Sequence, residues 1–99
     1  MATQTITWAE CGDDAGNRAR LLFEYDDVTL ALLAVTCENP TARTVTGTVT
    51  HTPTGTTRSH VCAPGETRRT ALPAGAFTLT AGVDGGLSTG SLNIGFRCG

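Results

Sequence analysis

The side chains best equipped for chemistry are few, and three of them sit close together. His51, His60 and Cys62 are zinc-ligand types. His60 and Cys62 are two residues apart, so any strand carrying them puts both on one face. A fourth ligand would have to be Cys37 or an acid, and no cysteine pair has the spacing of a CxxC metal or redox motif. Nucleophilic catalysis needs a base beside a serine, threonine or cysteine. Only two histidines exist, both on or near one hairpin, and no serine motif flanks them. Asp13-Asp14 lies in a loop with Gly12, Gly16 and Asn17, but calcium takes roughly six or more oxygens and the nearby acids lack a calcium loop's spacing. A solvated turn explains them. Asp26-Asp27 also reads as a turn rather than a pair in a cleft. No glycine-rich loop joins a strand to a helix, so phosphate cradling has no support. The expectation is a protein that is not an enzyme, with no catalytic residues, no metal site and no cofactor.

The four cysteines, Cys11, Cys37, Cys62 and Cys98, allow three disulfide pairings. A link between Cys11 and Cys98 would staple the two ends. Met1 to Thr7 lack the charged start and apolar core of a secretory signal. Free thiols inside a cell are therefore expected, although a particle built inside and later released would meet oxidising conditions.

The chain has 99 residues, enough for one domain spanning 1–99 with a modest core. Net charge is -2, with no long run of one sign. That argues against a nucleic-acid partner bound by phosphate neutralisation. No stretch approaches the roughly 20 apolar residues of a membrane-spanning helix, so no membrane partner is expected. All seven basic residues are arginine, a side chain suited to bidentate contact with carboxylates.

The elements that must position these residues read as strands. Arg43 to Thr54 places Thr44, Thr46, Thr48, Thr50, Thr52 and Thr54 on one face, with Val45, Gly47, Val49 and His51 on the other. This period of two marks a strand with one wet face and one buried face. Ile6 and Trp8 face inward on a first strand, and Leu21, Phe23 and Tyr25 share a face of a second. Val28 to Cys37 is nearly continuous apolar and predicts a central strand covered on both faces. Pro53-Thr54-Gly55 predicts a type I turn with Gly55 left-handed as a bulge. That register sets Val61 against Gly47 and Ser59 against Val49 on the core side, leaving Arg58, His60 and Cys62 on the threonine face. A tighter loop would pair His51 with His60 instead. Thr67 to Leu72 is a short polar strand, Phe77 and Leu79 point inward, Val83-Asp84-Gly85-Gly86 signals a hairpin, and Leu87 to Cys98 is the last strand. About eight short strands with no substantial helix imply an all-β, two-sheet antiparallel sandwich, immunoglobulin-like or jelly-roll-like.

The motifs Glu38-Asn39-Pro40-Thr41, Thr46-Gly47-Thr48-Val49-Thr50, Pro64-Gly65-Glu66-Thr67 and Leu72-Pro73-Ala74-Gly75 resemble small immunoglobulin-like sandwich modules of bacterial and phage surfaces. In size and pattern the whole chain resembles the decoration, or cement, proteins of tailed-phage heads. That resemblance implies a non-enzymatic virion structural protein, assembled in the host cytoplasm and located on the virion. It would bind the major capsid protein or other virion proteins and associate with its own copies. Candidate contact residues are Arg68, Arg69 and Arg97 and the threonine row Thr44, Thr46, Thr48 and Thr50. The alternative expectation is a stand-alone adhesion or carbohydrate-binding module.

Overall fold

The computed structural model describes residues 3–81, 87–88 and 91–98. Among the described residues nine strands follow in order: β1 (Thr3–Gly12), β2 (Arg18–Asp26), β3 (Leu32–Glu38), β4 (Val45–His51), β5 (Thr56–Cys62), β6 (Thr67–Ala71), β7 (Thr80–Ala81), β8 (Leu87–Ser88) and β9 (Leu92–Cys98). Seven of them build two antiparallel sheets, one ordered β1-β2-β3-β6 and the other β5-β4-β9, with a small β7-β8 pair besides. This is the expected all-β sandwich. The predicted Val83–Gly86 hairpin lies outside the described residues.

The period-two pattern does the sorting. On β2, Ala19, Leu21 and Phe23 are buried, and on β4 so are Val45, Gly47, Val49 and His51. The core between the sheets is completed by Leu32, Val35, Phe77, Leu79 and Leu92, with Trp8 and Phe96 packed against it. Trp8, the extra residue of a β-bulge between Thr7 and Ala9, stacks on Phe23 at 5.7 Å, and the bulge brings Ala9 and Cys11 onto the inward side after it. Gly47 is small for a packing reason: a Cβ there would come within 3.2 Å of Phe96 and 3.3 Å of Leu21.

Three expectations need correction. The apolar run from Val28 is not all strand. Asp26 accepts hydrogen bonds from the backbone of Val28 (2.8 Å) and Thr29 (3.0 Å), folding 26–30 into a turn that leaves Val28 70% exposed. Leu30, left-handed at φ 61°, closes that turn by donating to the Asp26 carbonyl at 2.8 Å. The central strand is β3, between β2 and β6.

The β4–β5 register also differs from both registers expected. Gly55 is left-handed (φ 73°) as predicted, but its N–H donates to the His51 carbonyl at 2.8 Å and the loop holds four residues, 52 to 55. His51 then pairs with Thr56, Gly47 with His60 and Val45 with Cys62. A slip of one residue exchanges the faces of a strand. His60 and Cys62 are therefore buried, and Val61 stands 44% exposed.

Third, the cysteines are not free thiols: Cys11 bonds Cys98 and Cys37 bonds Cys62. The reason is the register. Val45 has Cys62 on one side and Cys98 on the other, so the three-stranded sheet presents both sulfurs inward in one row. Cys37 on β3 and Cys11 on β1 meet them from the facing sheet, with Cα separations of 6.3 and 5.8 Å.

Candidate functional site

The threonine row is the centre of an outward face that is polar except at Val61. The inward set Val45, Gly47, Val49 and His51 leaves Thr46, Thr48 and Thr50 on the outside of β4. Across the sheet the rows run Val61–Thr46–Arg97, Ser59–Thr48–Gly95 and Thr57–Thr50–Asn93. Apart from Arg97 these side chains are short, so the face is flat. Thr50 and Thr57 share a hydrogen bond between their hydroxyls at 3.0 Å. Among the described residues, neither β5 nor β9 pairs with any strand but β4, so both carry a free backbone edge. Thr44 is exposed but precedes β4 and stands outside this sheet.

The three candidate arginines do not gather. Arg97 lies on the polar face beside Thr46, and its side chain has no hydrogen bond or ion pair among the described residues. Arg68 and Arg69 belong to β6, the edge of the other sheet. Arg69 grips Glu24 in a two-bond fork, Nε to Oε1 at 2.8 Å and a terminal nitrogen to Oε2 at 3.0 Å. The pair reaches from β6 to β2 across β3, beside fully buried Ala34. The Arg69 hydrogen bond holds the Glu24 carboxyl below its usual range. Arg68 pairs with Glu66 at 3.2 Å, and the Glu66 carboxyl is lowered first by the Ala63 N–H and then by Arg68.

The other chemistry-bearing residues serve the fold. His51 is held between Thr54 (3.0 Å, Nδ1) and Thr78 (3.5 Å, Nε2), with Phe77 against its ring. His60 is 4% exposed and neither ring nitrogen has a partner. Asp13 accepts from the backbone of Ala15 and Asn17, closing the 13–17 turn. Among the described residues, no three His, Cys, Asp or Glu side chains gather where a metal ion could be held. No described helix is long and apolar enough to cross a membrane.

Sequence reasoning missed Asn39. It is buried, and its amide donates to the carbonyls of Arg43 (2.7 Å), Ala63 (3.0 Å) and Cys62 (3.2 Å). Its Oδ1 accepts from the Thr41 hydroxyl (2.6 Å) and backbone (3.0 Å). One side chain thus ties the β3–β4 loop to the β5–β6 loop. The Asn-Pro dipeptide signalled a turn, but nothing local signals partners 24 residues away.

The chain matches no family model, no curated protein and no solved structure.

Proposed function

We propose that the protein is a non-enzymatic structural component of a virion, a decoration protein that stabilises a phage head by covering its surface. The observation that carries this reading is the flat polar face of the three-stranded sheet, flanked by two free strand edges. Free edges pair with other chains unless they are covered. Short hydroxyl side chains let a second surface approach closely and hydrogen-bond along its length. Arg97 supplies one cation on that face for a carboxylate on the partner, the major capsid protein or another copy.

Two inter-sheet disulfides suit an oxidising environment. A particle assembled in the cytoplasm and then released provides one. Arg97, Thr46, Thr48 and Thr50 form the contact surface. Arg68 and Arg69, engaged with Glu66 and Glu24, are assigned to stability rather than contact.

The test is rebinding. Purified protein is mixed with phage heads stripped of their surface proteins, and the heads are pelleted. Decoration predicts saturable co-pelleting, lost in Thr48→Arg. Protein that stays in the supernatant at all ratios overturns the reading.

A further inference from the structure

Away from the polar face, the sandwich has a cleft of about 560 Å³ where three loops converge on the four-stranded sheet. Gly16 and Asn17 come from the β1–β2 loop, Asn39 and Pro40 from the β3–β4 loop, and Gly65 from the β5–β6 loop. The sheet contributes Arg18 and Arg20 of β2, Glu38 of β3 and Thr67 of β6. Arg20, Glu38 and Thr67 stand side by side across three strands. The volume falls within the range of small-molecule sites.

Two features set the cleft apart from ordinary surface. First, its charged groups are not consumed by the fold. The side chains of Arg20 and Glu38 have no hydrogen bond or ion pair among the described residues. Arg18 has only a 3.5 Å contact to Glu10, with both side chains exposed, and such a contact is easily exchanged. Second, the walls are fixed in advance. Asn39 joins two of the loops through its side-chain amide, and its main-chain carbonyl accepts from Gly65 N–H at 2.8 Å. Asp13 fixes the third loop through Asn17 N–H at 2.9 Å. The Cys37–Cys62 disulfide ends at the strand termini from which two of these loops leave. A site held rigid before binding loses less entropy when a ligand arrives.

We infer that this cleft binds an acidic sugar, a ring that carries a carboxylate beside several hydroxyls. The lining has two arginines against one glutamate in a chain of net charge -2, so it is a positive spot on an acidic molecule. A guanidinium takes a carboxylate in a planar two-bond fork, and Arg20 and Arg18 supply that half. Glu38 can only accept, and Thr67 can accept or donate, so their half suits neighbouring hydroxyls. Among the described residues no aromatic ring lines the cleft, so recognition rests on charge-assisted hydrogen bonds rather than stacking. The affinity is on the order of millimolar and falls with salt. The site is separate from the polar sheet face, so a ligand here stands or falls independently of assembly.

The experiment is an amide NMR titration of the whole protein at low salt with D-glucuronate, against D-glucose (hydroxyls alone) and acetate (carboxylate alone). Saturable shifts at Asn17, Arg20, Glu38 and Thr67 are expected with glucuronate, with binding about tenfold weaker for either control. Arg20→Ala abolishes the glucuronate shifts with an unchanged melting temperature, because the side chain is exposed. Glu38→Ala removes the acceptor for the hydroxyls and narrows the gap between glucuronate and acetate. Glucuronate shifts that do not saturate, that equal those of acetate, or that persist in Arg20→Ala overturn the proposal.

Discussion

Asn39 and His60 show how much a single side chain carries in a core this small. Asn39 satisfies three carbonyls with one amide group. Asn39→Ala leaves those carbonyls short of a donor and uncouples two loops. A loss of about 3 kcal/mol is expected, measured by urea unfolding. His60 is the opposite case, a buried polar ring with no partner. Burial first, and the Arg58 cation second, push its pKa below the usual imidazole value of 6.5. The unfolded chain therefore takes up a proton that the folded protein resists. Stability is full above pH 6.5 and falls as the pH drops below it, by up to about 1.4 kcal/mol per pH unit. His60→Leu flattens that slope, as read from thermal melts at a series of pH values. The carboxyls of Asp13, Asp26, Glu24 and Glu66 are all lowered, so their contributions disappear only in a separate window, as the pH falls below their ordinary values of 3.8 and 4.5. Neither role was legible in the sequence. Asn39 acts over long range, and the inward turn of His60 depends on a loop that is one residue longer than its composition suggested.

At the scale of elements, the disulfides connect strands of opposite sheets: β1 with β9 and β3 with β5. They close loops of 87 and 25 residues, and loop entropy assigns them about 4.6 and 3.5 kcal/mol respectively. Their accessibility differs more than their energies. Cys37 and Cys62 are 1% and 0% exposed, whereas Cys11 and Cys98 are only half-buried. A mild reductant is therefore expected to open Cys11–Cys98 first, leaving Cys37–Cys62 intact. Alkylation followed by peptide mass spectrometry reads the order, and label appearing first on Cys37 and Cys62 contradicts it. Strand identity and most facing were legible, because alternation on β2 and β4 is a local signal. Facing on β5 was not, since Thr56 to Cys62 has no apolar alternation strong enough to set its own register. The Cys37–Cys62 pairing follows from that register and was equally hidden, whereas a Cys11–Cys98 link was one of the three pairings the sequence left open.

For the whole molecule, composition and turn residues were enough to indicate a sandwich, because many short polar-apolar strands have few other ways to bury one face. The surfaces were only partly legible. The threonine row announced the polar face, yet Arg68 and Arg69 proved to be tied to neighbouring acids, and the cleft at Arg20 and Glu38 emerged only when three distant loops came together. The central claim is that the flat face with its free edges exists to meet another protein surface, a second copy of this chain among them. Its most direct measurement is the native mass of the purified protein by light scattering over a hundredfold range of concentration. The expected result is a mass that rises above the 10.2 kDa of one chain as concentration increases, and that returns to one chain in Thr48→Arg. A mass fixed at one chain throughout, or a wild-type association that Thr48→Arg leaves untouched, contradicts the claim.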